Sequence, residues 1–81
     1  DNNRGVELFA LGRVTESIKS LRRAVRLNPL SPEAHNNLGV SLSRAGRRSE
    51  AKGHFLEAIR LRPGWAHAVY NLALNYLEQN R

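Results

Sequence analysis

The side chains best suited to metal or acid–base chemistry in this sequence are three histidines, His35, His54 and His67. The chain of 81 residues has no Cys, which removes thiolate ligands, cysteine nucleophiles and disulfides. No two histidines lie four residues apart, the spacing that places two imidazoles on one side of a helix. A phosphate-binding Gly-x-x-x-x-Gly-Lys segment is also absent. The sequence therefore predicts no metal, cofactor or catalytic site in this chain, and we expect a protein that is not an enzyme.

Asparagine side chains form a second candidate group, because Asn3, Asn37 and Asn71 follow one another at intervals of 34 residues. A carboxamide carries one acceptor and two donors. A row of such groups could bind the C=O and N–H groups of an extended peptide, whatever its side chains. The alternative interpretation is that these amides only bridge neighbouring helices. Which of the two applies depends on the structural meaning of the interval.

The interval of 34 residues is a repeat of the chain itself. Residues 1–34 and 35–68 share 13 identities. The glycines and prolines of the two copies coincide: Gly5 with Gly39, Gly12 with Gly46, and Pro29 with Pro63. A period of this length is typical of arrays in which each repeat is one supersecondary unit.

Each period contains the signals of two helices. Pro32 and Glu33 suit a first helical turn, and Gly46 suits the left-handed residue that follows a helix C-terminus. We expect Ser49 to be the N-cap of the next helix, with Thr15 in the same role one repeat earlier. Pro63 ends that next helix. The chain then holds five helices, of which the first is truncated and the last runs from about residue 66 to residue 79.

The apolar residues recur at helical spacing and predict the buried faces. The first helix of the complete repeat would bury one stripe, and the second helix another; the stripes are Ala34, His35, Leu38, Leu42 and Ala45, then Ala51, Phe55, Ala58 and Ile59. His54 is expected on an outer helix face and Asn36 in solvent. Gly39 allows two helices to approach closely, with Ala73 in the equivalent place.

The last helix is too apolar to end an array. We expect Val69, Leu72, Ala73 and Tyr76 to pack on the preceding helices, while Leu74 and Leu77 have no following helix to cover them. This predicts either a missing repeat in a longer parent protein, which the absence of any Met also favours, or self-association of the chain as a homodimer through Leu74, Tyr76 and Leu77.

The period and its anchors resemble the tetratricopeptide repeat (TPR) family. The resemblance rests on Leu38-Gly39 in the first helix and on the second-helix residues at matching spacings, Ala51, Phe55, Ala58 and Pro63. The sequence departs from the family pattern with His35 in the bulky aromatic position and Leu42 in the tyrosine position. The resemblance implies an all-α fold, a right-handed superhelical solenoid of about two and a half repeats. Its parts would be a partial repeat at 1–31, a complete repeat at 32–65 and a further first helix at 66–81.

The resemblance also implies a concave groove lined by the first helix of each repeat. It would place Asn3, Asn37 and Asn71 in a row along that groove, similar to the asparagine ladder of O-linked N-acetylglucosamine transferase. The remaining groove residues would be Val40, Arg44, Tyr70, Leu74 and Leu77. A clamp for a C-terminal carboxylate is not expected, because most matching positions carry uncharged residues: Asn2, Val6, His67 and Asn71.

The net charge of +6 does not by itself indicate nucleic acid. The basic residues fall mainly in turns and on the second helices, the convex side, without interleaved aromatic residues, so nucleic acid is not an expected partner. No apolar run approaches the roughly 20 residues that span a bilayer. A chain without Cys fits any compartment, so no localisation follows.

The sequence thus predicts a non-catalytic module that binds a protein or peptide partner in its groove. Two alternatives remain: assembly through the exposed repeat ends, and a substrate-presenting arm of a larger enzyme such as a glycosyltransferase.

Overall fold

The computed structural model describes residues 2–79, which form five α-helices and no strand within that range. They are α1 (Asn2–Ala10), α2 (Val14–Leu27), α3 (Pro32–Arg44), α4 (Arg48–Leu61) and α5 (Ala66–Gln79). Each helix packs on the next in the chain, and α1 also contacts α3 as α3 contacts α5. The number of helices and their sequential packing confirm the predicted all-α architecture.

The helix starts follow two different local patterns. In α3 the Ser31 hydroxyl caps the N-terminus by accepting a hydrogen bond of 3.2 Å from the backbone N–H of Ala34, and Pro32 occupies the first turn. The N-cap positions of α2 and α4 are instead Arg13 and Arg47, and neither makes a side-chain cap bond.

The predicted caps Thr15 and Ser49 are therefore wrong, because both residues lie inside the first turn of their helices. Gly46 has φ +83°, as predicted, and the backbone N–H of Arg47 bonds the carbonyl of Leu42 at 2.8 Å. This six-residue closure reverses the chain so tightly that the next helix begins at Arg48. The N-cap position therefore falls on Arg47, directly after Gly46, and Ser49 comes two residues too late to occupy it.

The core lies between the three helices α2, α3 and α4. Its buried members come from α2, α3 and α4: Ile18, Leu21, Leu38, Leu42, Ala51 and Phe55. A Cβ atom on Gly39 would lie 2.6 Å from the Phe55 ring, which confirms that α3 and α4 approach closely where α3 lacks a side chain. Ala45 was expected in the buried stripe and is exposed, because α3 ends at Arg44 and Ala45 is already the C-cap.

The buried face of helix α5 agrees with the expected one only at Leu72. Ala68 and Asn75 are buried and Leu72 packs on the core, whereas Val69 and Tyr76 are 48% and 60% exposed. Ala73 is exposed as well. The equivalents of Val69 and Ala73 in α3 are His35 and Gly39, which contact His54 and Phe55 of the following helix α4. Since no described helix follows α5, Val69, Ala73 and Tyr76 form an open end of the array.

None of the five described helices is long and apolar enough to cross a membrane.

Candidate functional site

A groove runs along one side of the molecule, and α1, α3 and α5 line it. It contains two hollows: a small one of about 60 Å³ between α1 and α3, and a larger one of about 200 Å³ between α3 and α5. Phe9 and Val40 line both hollows and therefore join them. The groove follows the contacts of α1 with α3 and of α3 with α5.

The larger hollow combines an apolar floor with polar and charged walls. The floor consists of Phe9, Val40, Phe55 and Leu74, and the walls are formed by Ser43, Arg44, Arg48, Asn71, Asn75 and Glu78. This mixture of apolar surface with a few polar groups is typical of sites that bind a partner by both packing and hydrogen bonding. Val40, Arg44, Asn71 and Leu74, which the sequence assigned to the groove, all line this hollow.

Two arginines determine the charge of this hollow. The guanidinium carbon of Arg44 lies 5.2 Å from the centroid of the Phe9 ring, in the range of a cation–π contact. Arg48 is 3.9 Å from the carboxylate of Glu78, at the outer limit of an ion pair. The Nε atom of Arg48 is buried and has no hydrogen-bond partner in the described part of the chain.

Asn75 is a buried residue of the groove wall that the sequence did not identify. Its Oδ1 accepts a hydrogen bond of 2.8 Å from the Ser43 hydroxyl, and its Nδ2 donates one of 3.0 Å to the backbone carbonyl of Arg48. No pattern in the sequence marks it; its equivalent one repeat earlier, Ser41, is also buried and shares a hydrogen bond of 2.8 Å with Ser17. Asn75 therefore fixes the junction of α3, α4 and α5 at the base of the hollow.

The asparagines pair with one another between repeats. Asn37 Nδ2 donates to Asn2 Oδ1 at 3.0 Å, and Asn71 Nδ2 donates to Asn36 Oδ1 at 3.2 Å. Asn36 is buried, so its predicted place in solvent is wrong. Asn3 is exposed and belongs to neither pair. The bridging interpretation thus describes bonds that the fold contains, while contact with a peptide stays a prediction.

The other predicted groove residues divide between two surfaces. Tyr70 is 67% exposed and lies one helical turn before Leu74 on α5. Leu77 is not in the groove: it lines a separate apolar hollow of about 530 Å³ at the open end, together with Val69, Leu72, Ala73 and Tyr76. The two side chains are about 60° apart around the helix axis, and α5 presents Leu74 to the groove and Leu77 to the open end. The three residues predicted for self-association are likewise divided, since Leu74 lies in the groove.

The comparisons with known proteins identify the repeat. The family model described as TPR repeat matches residues 5–46, more than half of the chain, and that of the tetratricopeptide repeat matches residues 32–65. The chain belongs to the tetratricopeptide repeat family. None of the curated proteins is similar enough to count as a match.

Among 37 matching chains of solved structures is the second TPR of Spaghetti (RPAP3) bound to the HSP90 peptide SRMEEVD. The TM-score is 0.92, and the alignment covers 98% of this chain and 73% of that one, at 16% identity. At this identity the likeness shows that the two share the TPR fold.

The TPR position that carries a histidine instead of an aromatic residue holds a polar contact. His35 Nε2 lies 2.9 Å from the carbonyl oxygen of Pro29, and His35 Nδ1 lies 3.1 Å from Nδ1 of His54. A carbonyl only accepts, so Nε2 of a neutral His35 carries the proton and its Nδ1 accepts from His54. The expected place of His54 on an outer face is wrong, because it is half-buried against this partner.

We expect the histidine pair to make the TPR segment less stable in mild acid. Burial, and next the charge of His35, lower the pKa of His54 below its usual value near 6.5. Between the two pKa values the unfolded chain binds more protons than the folded one, so this contribution is present above about pH 6.5 and is lost as the pH falls. Glu50 and Glu57 oppose the shift and Arg22 adds to it.

The measurement is urea unfolding at several pH values between 7.5 and 5. His54→Gln should reduce the loss of stability across this range, whereas His67→Gln, at an exposed position, should leave it as in the parent chain. Equal slopes in all three proteins would contradict the assignment.

In residues 2–79 no group of three His, Asp or Glu side chains has the arrangement of a metal site.

Proposed function

We propose that this TPR segment binds an extended peptide of a protein partner in the groove between α1, α3 and α5, without catalysing a reaction. The observation that supports this most directly is the larger hollow, where Val40, Leu74 and Phe9 offer apolar contact beside side-chain amides. An extended chain can place one side chain in such a hollow while its backbone meets the polar rim.

The asparagine pairs are compatible with a role in that binding. Each pair uses an Nδ2 group of Asn37 or Asn71, and neither pair uses the Oδ1 acceptors of those two residues. These acceptors are suited to backbone N–H groups of a peptide, as in the ladder of O-linked N-acetylglucosamine transferase. The complex of the Spaghetti TPR with an HSP90 peptide supports the proposal at the level of the shared fold.

The test is a selection of peptides followed by a change in the groove floor. Random 12-residue peptides, flanked at both ends by fixed Gly-Ser segments, would be displayed and selected on the intact chain. Leu74→Gln removes apolar contact in the hollow and should weaken the selected peptides about tenfold, or about 1.4 kcal/mol. Leu56 has a similar exposure, 48% against 42%, but lies outside the groove, so Leu56→Gln should change the affinity less than about twofold. Failure to select any peptide that depends on Leu74 would refute the proposal.

A second candidate function is assembly through the open end. Val69, Tyr76 and Leu77 are between 48% and 65% exposed around one apolar hollow, and exposed apolar patches of this kind mark protein–protein contacts. We propose that two copies cover this surface by packing their α5 helices together. Light scattering should then show a dimer that Tyr76→Glu with Leu77→Glu converts to a monomer, while Leu30→Glu with Leu56→Glu does not. A monomeric parent chain at all concentrations would exclude this candidate.

A further inference from the structure

The charge of the groove indicates more about its ligand than the shape does. Arg44 extends over the Phe9 ring and makes no ion pair with any described residue. An arginine held on an aromatic face keeps its N–H groups directed outward and loses little freedom on binding an anion. Arg44 is therefore an available cation at the wall of the larger hollow.

A second cation lies in the same wall and has unmet hydrogen-bonding capacity. The Nε–H of Arg48 is buried and unpartnered, and the nearest carboxylate, Glu78, is 3.9 Å from its terminal nitrogen. The Nε–H itself is closed to solvent, but the Arg48 side chain is 33% exposed, and a ligand can reach it through its terminal N–H groups. A carboxylate is the acceptor that matches a guanidinium best, because its two oxygens can accept two parallel N–H bonds.

The apolar floor adjoins these two cations. Val40 and Leu74 line the same hollow as Arg44 and Arg48, and Glu78 is the one acidic residue among its lining residues. The three charged side chains sum to +1, so the hollow favours an acidic ligand that also carries an apolar group. Side chains of an extended peptide that lie two residues apart project to the same side, about 7 Å apart.

We propose that the groove selects peptides in which an Asp or Glu side chain lies within two residues of an apolar side chain. The apolar side chain contacts Val40 and Leu74, and the carboxylate is bound by Arg44 and Arg48. The inference rests on the proposed function, since it specifies the ligand of the same groove. It does not require a free C-terminus, in contrast to the carboxylate clamp, whose positions carry uncharged residues here.

The same peptide selection tests this inference separately from the proposed function. Because both ends of the displayed peptide are flanked, any carboxylate that is selected belongs to a side chain. The expected result is that peptides lost on the Leu74→Gln variant are enriched in Asp or Glu next to an apolar residue. Groove-dependent peptides without acidic enrichment would overturn the inference and leave the proposed function standing. An absence of groove-dependent peptides would overturn both.

Matched charge changes then test the contact itself. With a selected acidic peptide, Arg44→Gln should raise the Kd five- to tenfold, while the same substitution should have no effect on a version of the peptide with Gln in place of its acidic residue. Arg23→Gln removes the same charge from α2, away from the groove, and should change the Kd less than twofold. If Arg44→Gln and Arg23→Gln weakened binding of the acidic peptide equally, the basic chain would attract acidic peptides in general. That result would overturn binding of the carboxylate at Arg44.

Discussion

Phe55→Ala should lower the free energy of unfolding by about 3 to 5 kcal/mol, the largest effect that we expect from a single substitution in this chain. The Phe55 side chain is 1% exposed and belongs to the core between the helix pairs. Its ring contacts α3 at Gly39 and also forms part of the groove floor. Removing the ring leaves a cavity that two helices would have to close, and Gly39 has no side chain to fill it.

This loss is large relative to the total free energy of unfolding expected for the chain. A domain of 81 residues has a stability of about 4 to 12 kcal/mol at the usual values per residue. Phe55→Ala should therefore leave the protein marginally folded or unfolded, as seen by circular dichroism with urea titration. Leu56→Ala is the control, because the neighbouring side chain is 48% exposed, and it should cost less than about 1 kcal/mol. A similar loss from both variants would contradict the central place of Phe55.

Much of this fold could be predicted because the residues that mark helix ends and buried positions occur twice, 34 residues apart. Gly46 ends α3 with a positive φ as Gly12 ends α1, and neither position depends on contacts far away in the chain. Phe55 could be assigned to the core because it recurs in register with Leu21 and stands at helical spacing from Ala51 and Ala58. Local backbone preference and periodicity therefore fix the helices and most of the core.

The polar contacts could not be predicted from the same signals. Asn36 and Asn37 are adjacent in the sequence, and both are used: one accepts from the following repeat and the other donates to the preceding one. Which face of α3 meets which neighbour depends on the rotation of each helix in the array. A pattern of apolar residues determines this rotation only to within a residue or so. Asn75 was missed for the same reason, since a buried amide has no apolar signature.

The packing of α5 was assigned to the wrong face because its apolar residues cover most of its circumference. Leu72 packs on the preceding helices as expected, together with Ala68, whereas Val69, Ala73 and Tyr76, expected in the same contact, are exposed. In α3 both faces are occupied, one by α2 and one by α4, so the repeat pattern alone does not distinguish the side that faces backward from the side that faces forward. At the last described helix that distinction determines which residues are open to a partner.

Gly39→Ala and Gly53→Ala should change stability in opposite directions, although both replace a glycine within a helix. Alanine is favoured over glycine in a helix by about 1 kcal/mol. At Gly53 a Cβ atom would meet nothing within 4 Å, so the variant should be more stable by up to about 1 kcal/mol. At Gly39 the Cβ atom would lie 2.6 to 2.9 Å from three atoms of the Phe55 ring. Overpacking of this kind costs about 1 to 3 kcal/mol.

The ring cannot move aside easily, because Phe55 is buried among the core residues of α3 and α4. The gain in helix propensity therefore offsets only part of the clash, and we expect Gly39→Ala to lower the free energy of unfolding by about 1 to 2 kcal/mol. Urea unfolding of the two variants beside the parent chain measures both changes. If Gly39→Ala were as stabilising as Gly53→Ala, the close approach of α3 and α4 would not be a constraint. The presence of glycine at position 39, in the middle of α3, would then have no structural reason. If instead Gly39→Ala is destabilising and Gly53→Ala stabilising, the packing of this repeat requires a residue without a side chain at position 39.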